Sequence, residues 1–311
     1  MLLHSSMKRF LFVLILTTLC SGHFLHAQAS PEPTITFCAY NLRNYLKMER
    51  SAKGVPSPGI GKPEKEIAAI LKFLQEIKPD ILGVSEIGSE DDVVDLKSRL
   101  KACGIDLPYH ELSHGADPVR GLGFLSKFPI LQRRSQKELK YRIGEDIFPV
   151  QRGFLDVTVQ LRAGFDLRCV GVHLKSKREV PEADQMLMRR NEAHLLRKYL
   201  ESILQVKPDT KLLLYGDFNE NKHEASIAEI EGAPGMDLSM NDVRLRDSHG
   251  ETWTHYWELA DLYSRFDYCF VSRPLQSYVD KKSSYIFDAK DFYTGSDHRP
   301  IVLKIDLTKD K

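Results

Sequence analysis

Leu212-Leu213-Leu214-Tyr215-Gly216-Asp217-Phe218-Asn219 is the stretch from which the rest of the chain can be read. Its four-residue apolar run is too short for a helix and fits a strand buried on both faces. A carboxylate and an amide follow at its end, where turn-forming Gly, Asp and Asn take the chain out of a sheet. The same design recurs in both directions along the sequence. Asn41 ends the run from Ile35 to Tyr40, Glu86 ends Ile81-Leu82-Gly83-Val84-Ser85, and His173 lies in Gly171-Val172-His173-Leu174. Asp267 precedes the apolar Tyr268 to Val271, and Asp297-His298 precedes Ile301 to Ile305. Asn41 and Gly216 to Asn219, taken singly, read as turn residues, and His173 as a core histidine. Together at strand ends they predict loops that converge on one cleft of carboxylates, amides and imidazoles.

Between these runs the pattern changes period. Pro63 opens a helix whose Ile67, Ile70, Leu71, Leu74 and Ile77 share one face, and Lys78-Pro79-Asp80 ends it. A second helix is expected over Glu90 to Lys101, and the longest from Pro181 to about Leu204. Further strands fall at Tyr109 to Leu112, Gly123 to Leu125, Phe154 to Leu161 and Leu167 to Leu174. The segment carrying Gly54, Pro56, Pro58, Gly59 and Gly61 reads as a polar loop. Strands outnumber helices and arrive in hairpin-like pairs as well as across helices. One α/β sandwich domain is therefore expected, with no internal repeat.

The chain has 311 residues, 42% apolar and 28% charged, with a formal charge of +1. That balance excludes a disordered chain and argues against a generic polyanion binder, which would carry a strongly basic field. Lys8 and Arg9 precede an apolar run from Phe10 to Leu19, and Ala27-Gln28-Ala29 supplies a small-x-small cleavage pattern. Residues 1–29 read as a signal peptide cut near Ala29, so the domain spans 30–311 in a secreted or periplasmic protein. The run is about half the length that spans a bilayer, so no membrane span is expected in the mature chain. Cys20 suggests a lipoprotein site, but bulky Leu19 before it argues against that reading, and Met7 is an alternative start. Cleavage removes Lys8 and Arg9 and no acid, taking the formal charge to −1. Cys38, Cys103, Cys169 and Cys269 remain. Three lie in apolar strand-like runs and read as core thiols, with disulfide pairing among the four as the alternative, and no Cys-x-x-Cys pair is present.

In order and spacing, Tyr40-Asn41-Leu42, Val84-Ser85-Glu86-Ile87, Gly123-Phe124-Leu125-Ser126, Gly171-Val172-His173-Leu174, Gly216-Asp217-Phe218-Asn219, Arg265-Phe266-Asp267-Tyr268 and Gly295-Ser296-Asp297-His298-Arg299-Pro300 resemble the endonuclease/exonuclease/phosphatase superfamily, the deoxyribonuclease I-like phosphoesterases. A secreted, bacterial-type member is expected. The resemblance implies a four-layer sandwich of two mixed β-sheets flanked by helices. It also implies hydrolysis of a phosphoester with Mg²⁺, or with Mn²⁺ or Ca²⁺ in its place. A divalent ion neutralises phosphate charge, and hard oxygen ligands suit Mg²⁺. By resemblance Glu86 and Asp297 hold the ion and Asn41 assists. His298 is the base for the attacking water, with Asp267 fixing its tautomer. Asp217 orients that water or is itself the base, Asn219 binds phosphate or water, and His173 protonates the leaving oxygen or binds phosphate. Arg152, in the loop before Phe154, matches a phosphate-contacting position, and Arg120 is a weaker candidate.

Several substrates fit this chemistry. A nuclease acting on DNA or RNA is the first reading, with a monomer expected. A phospholipid such as sphingomyelin, or an inositol phosphate, is the alternative, and near-neutral charge leans towards it because nuclease affinity rests on basic phosphate contacts. A catalytically silent binding module is the third. Trp253, His255, Tyr256 and Trp257 read as core or loop packing before a stacking platform, and Lys175, Lys177 and Arg178 as a solvated run. Specificity is expected in Lys47 to Lys62, Arg134 to Gln151 and Glu231 to Tyr263.

Overall fold

Thr34–Tyr45 is the longest strand of the first sheet and alternates its side chains between two hydrophobic layers. Phe37 and Ala39 point one way, Cys38 and Tyr40 the other, and all are buried. The computed structural model describes residues 33–52, 55–233 and 235–309, and the expected leader at 1–29 lies outside them. Two six-stranded sheets organise these residues. The first runs, edge to edge, Tyr285–Ile286, Ile301–Asp306, Thr34–Tyr45, Ile81–Ile87, Gly121–Ser126 and Tyr109–Ser113. The second runs Met240–Asp242, Asp267–Ser272, Leu212–Asp217, Phe165–His173, Phe154–Arg162 and Ile130–Arg133.

Both sheets follow one plan. Each has a single parallel pair at its centre, Thr34–Tyr45 with Ile81–Ile87 and Phe165–His173 with Leu212–Asp217, and antiparallel neighbours outside it. A parallel pair requires a crossover, supplied by the helices Glu64–Ile77 and Gln185–Val206. Inward side chains such as Phe37, Phe124, Val157, Leu213 and Cys269 fill the space between the sheets. Outward ones pack under helices: Tyr40, Leu82 and Val84 with Ile70, Leu74 and Leu96 on one side, Val170, Leu214 and Phe270 with Leu196 and Leu200 on the other. Helix, sheet, sheet and helix form the four layers that the resemblance implied.

Local chemistry explains most boundaries. Pro63 precedes Glu64–Ile77, acids at Glu64 and Glu66 face its positive end, and Lys78 ends it in the left-handed region at φ 51°. Ser89 and Asp92 form a capping box for Glu90–Ala102. The long helix starts at Gln185 rather than at Pro181. Val180 and Ala183 bridge each other in a turn, and the Asp184 carboxylate accepts from the Met186 and Leu187 N–H groups. The segment read as a polar loop forms a hairpin, Met48–Ala52 with Val55–Ile60. Its prolines are tolerated because both strands lie outside the main sheets. Cys38, Cys169 and Cys269 are buried free thiols, as their apolar runs predicted, and Cys103, outside such a run, is a half-buried one. No helix among the described residues is long and apolar enough to cross a membrane.

Candidate active site

The parallel strands of both sheets end on the same rim, and the site is built from what their ends present. His173 and Asp217 lie opposite each other in the second sheet, as do Asp217 and Asp267. All three continue the inward-facing alternation, so they meet Asn41 of the first sheet across the gap. The Asn41 amide donates to Asp217 Oδ2 at 3.0 Å and to Glu86 Oε1 at 3.3 Å, while its Oδ1 accepts from the Arg43 N–H at 3.0 Å. Glycines allow close packing here, Gly83 between the two sheets and Gly216 between neighbouring strands of the second. A Cβ on Gly83 would lie 2.1 Å from the Tyr215 ring of the opposite sheet, and one on Gly216, at φ 133°, would lie 2.0 Å from the Val172 carbonyl oxygen.

Backbone strain gathers at this rim. Arg43, Asn44, Glu86 and Asn219 all have φ between 47° and 60°. Such conformations cost about 1–3 kcal/mol each and persist where surrounding contacts enforce them. The pairing of Ile81–Ile87 shifts register at Glu86, turning its carboxylate to the rim, where Oε2 accepts from the Asn44 N–H at 3.0 Å. Asn219 N donates to Asp217 Oδ1 at 2.8 Å, and Asn219 Nδ2 donates to the Leu174 carbonyl at 3.0 Å.

A relay of buried groups completes the second-sheet side. His298 Nδ1 lies 2.8 Å from Asp267 Oδ2, and its Nε2 lies 3.6 Å from Asp217 Oδ2. Burial alone would lower the imidazole pKa. The Asp267 and Asp217 charges overcome it and raise His298 to about 10, so Nδ1–H donates to Asp267. Burial raises the Asp217 carboxyl to about 7, although the His298 charge opposes the rise. His173 Nε2 lies 3.5 Å from the same Asp217 oxygen, and its Nδ1 is buried with no partner. Burial first, then the Arg152, His298 and Arg120 charges, hold His173 well below its usual pKa. A neutral imidazole with no acceptor at Nδ1 carries its proton on Nε2, so His173 suits hydrogen-bond donation to a phosphate better than the release of a proton from an imidazolium.

Glu86, Asn41 Oδ1 and Asp297 offer oxygen donors only, which fits a hard divalent cation. Asp297 stands beside this set. Ser296 Oγ donates to the Asn41 carbonyl at 2.7 Å, and Arg43 Nε is 3.7 Å from Asp297 Oδ2. Asp217, Asp267 and His298 also bring one ligand atom each within 4.8 Å of one another. His298 engages both carboxylates of that cluster, Asp267 through Nδ1 at 2.8 Å and Asp217 through Nε2 at 3.6 Å. The structure thus brings together Asn41, Glu86, His173, Asp217, Asn219, Asp267 and His298, with Asp297 joined through its neighbours. Arg152 has its guanidinium 3.9 Å from Asp117, which also lies 3.8 Å from Arg120, and its charge acts on His173.

Some supporting contacts gave no sequence signal, although Ser296 itself lies in the motif Gly295 to Pro300. Thr254, fully buried, accepts at Oγ1 from the Phe266 and Asp267 N–H groups and so sets the Asp267 backbone. Ser296 Oγ accepts from the His298 N–H while donating to Asn41, which ties two motifs 255 residues apart. The aromatic run divides: Trp253 packs on Arg299 at 3.4 Å, whereas Trp257 is about half exposed on a small hairpin.

Two stacked mixed sheets carry acids, amides and a histidine–aspartate relay at one rim. The profile described as the Endonuclease/Exonuclease/phosphatase family matches residues 39–298, and the chain belongs to that family. No curated protein matches it in sequence. Among solved structures it resembles beta toxin from Staphylococcus aureus, at 17% identity and TM-score 0.59, over 86% of this chain and 99% of that one. It is also similar to the human nocturnin catalytic domain with bound sulfate, at 16% and 0.59, over 88% and 94%. Sphingomyelinase C from Streptomyces griseocarneus matches at 16% and 0.59, over 88% and 100%. At these identities the likeness concerns the fold.

Proposed function

We propose that the protein is a divalent-metal-dependent phosphodiesterase, with Mg²⁺ as its ion and a nucleic acid as its substrate. The observation that carries this reading is the buried His298–Asp267 pair abutting Asp217, beside a Glu86 carboxylate fixed by Asn41 and Asn44. Glu86, with Asn41 and Asp297, would hold the ion, which when bound neutralises phosphate charge and orients the group. Asp217 orients the attacking water between Asn41 and His298. His298 takes a proton at Nε2 once that nitrogen is free, and Asp267 keeps the tautomer by accepting from Nδ1. His173 donates from Nε2 to the phosphate or the leaving oxygen. Asn219 supplies its remaining amide hydrogen without adding a charge that repels substrate.

Support for a nucleic acid comes from the basic residues that follow the site strands. Arg43 comes after Asn41 and Arg178 lies beyond His173 at the surface, whereas Lys175, read from sequence as solvated, is buried with its ammonium on backbone carbonyls and Lys177 pairs with Glu220. Arg120 donates to Asn44 Oδ1 at 2.8 Å and lies near Arg152. A phospholipid head group is the second reading, favoured by one observation. The hairpin His255–Trp257 with Leu262–Ser264 hydrogen-bonds to Asp297 through Tyr256 and exposes Trp257, Leu259, Leu262 and Tyr263. Purified protein assayed with Mg²⁺, Mn²⁺ and Ca²⁺ against DNA, RNA, sphingomyelin and inositol phosphates separates the readings. Cleavage of nucleic acid that is lost in Glu86→Ala supports the first. Turnover of lipid alone supports the second, and a protein inert on all of them sinks both. We further propose export as a monomer after cleavage near Ala29. The intact mass and sedimentation of protein recovered outside the cytoplasm test this, and an uncleaved or cytoplasmic product contradicts it.

A further inference from the structure

The long helix Gln185–Val206 buries two charged residues where its N-terminal half approaches the site: Arg189 and Glu192 are each 1% exposed. Glu220, the residue after Asn219, is equally buried. Charges removed from water cost several kcal/mol apiece and are compensated only where their hydrogen bonds are satisfied. Arg189 Nε donates to Glu220 Oε2 at 2.7 Å, and Lys177 pairs with the other carboxylate oxygen. The Tyr268 hydroxyl donates to the Glu220 carbonyl at 2.9 Å. Arg189 also donates from a terminal nitrogen to the Lys175 carbonyl at 3.0 Å, and the Lys175 N–H donates to Glu192 Oε2 at 2.7 Å.

These bonds meet on one stretch of backbone. The two successive peptides after His173 are held by the Asn219 amide at the Leu174 carbonyl, by Glu192 at the Lys175 N–H and by Arg189 at the Lys175 carbonyl. Arg189 simultaneously holds Glu220, and hence the left-handed turn at Asn219. One guanidinium thus fixes the spacing between the segments that carry His173 and Asn219. We propose that Arg189 and Glu220 are positioning residues for His173 and Asn219. They set the phosphate-contacting side of the site rather than its cation or its base. This rests on the phosphodiesterase reading above.

The test pairs a conservative change with an apolar double replacement, measured with bis(4-nitrophenyl) phosphate and Mn²⁺. Glu220→Gln keeps the shape and weakens the ion pair. Arg189→Met with Glu220→Met removes both charges at similar volume, which often leaves stability unchanged or improved. A displacement of about 1 Å in a reacting geometry costs on the order of 10²-fold in rate. Both variants are expected to lose about that factor in kcat while melting cooperatively and binding Mn²⁺ with unchanged affinity. Arg189→Lys, which keeps the charge but not the fork, should fall between them and the wild type. Folded variants with wild-type kcat overturn the proposal. So does a double variant that fails to fold, because the pair would then serve stability. If the wild type is inactive and Glu86→Ala matches it, the failure lies with the phosphodiesterase reading. A loss confined to the Arg189 and Glu220 variants, with Mn²⁺ affinity intact, belongs to this inference.

Discussion

The two sheets share a plan, a central parallel pair closed by a crossover helix, yet they deliver different chemistry to the rim where they meet. The first sheet contributes Asn41 and Glu86, with Glu86 half-buried on a strained backbone at φ 60°. The second contributes His173, Asp217 and Asp267, all buried, with His298 folded against them from the loop before the last strand of the first sheet. An exchangeable cation needs open oxygen donors, whereas a proton relay needs exclusion of water so that its charges act at full strength. On the reading proposed above, the cation side is Glu86 and Asn41 and the proton side is Asp217, Asp267 and His298, with His298 supplied by the same first-sheet loop that carries Asp297. The Asn41 amide, bonded to Glu86 and Asp217 at once, is the junction.

Breaking the proton side should cost most. Asp267→Asn removes the acceptor that fixes the His298 tautomer, and comparable changes in a histidine–aspartate pair cost about 10⁴-fold in kcat. Mn²⁺ affinity should not change, as a titration of the folded variant would show. A parallel loss of metal affinity would merge the two sides and refute the division. The next largest effect belongs to the cation side. Glu86→Ala is expected to reduce kcat on the order of 10³-fold and to weaken metal binding. EDTA should abolish wild-type activity and added Mg²⁺ restore it. Activity unaffected by chelation would remove the cation from the account.

The helices offer a subtler contrast. Glu64–Ile77 buries Ile67, Ala69, Ile70, Phe73, Leu74 and Ile77 and no charge, so its contribution is to stability. Leu74→Ala should cost about 3 kcal/mol in urea melts while leaving kcat of the folded fraction unchanged. A folded variant with impaired turnover would mean that this helix also positions the site.

What could be read from sequence follows from the same division. The Glu64–Ile77 helix was visible because its apolar period and its proline are local signals, and the strand-end residues because a polar group after an apolar run stands out. The hairpin Met48–Ala52 with Val55–Ile60 was missed since prolines mask edge strands that need no ladder hydrogen bonds on their outer side. Arg189 and Glu220 were invisible for a different reason. Each reads as a solvated charge, and only the fold brings residues 31 positions apart into one buried pair. Thr254 accepts from backbone N–H groups, a role that no sequence pattern announces, whereas Ser296 stood in the Gly295 to Pro300 motif with its bond to Asn41 hidden.

The smallest predicted effect separates the two crossover helices by pH. Burial, opposed by the Lys175 N–H and then by the Arg152, Lys175 and Arg189 charges, raises the Glu192 carboxyl from 4.5 to about 7, and its Oε1 is buried without a partner. A raised carboxyl pKa means that the folded protein binds more protons than the unfolded chain between those values. Stability from this group is therefore present at low pH and lost as pH rises from about 4.5 through about 7. The slope cannot exceed about 1.4 kcal/mol per pH unit. Glu192→Gln keeps the acceptor for the Lys175 N–H and removes the titration. Urea melts of both proteins from pH 4.5 to 8 should converge at the acid end, once other groups are cancelled by difference, diverge in favour of the variant as pH rises to about 7, and run parallel above it. A difference that is flat with pH would show Glu192 ionised throughout, with Arg189 and Lys175 stabilising its charge more than burial opposes it.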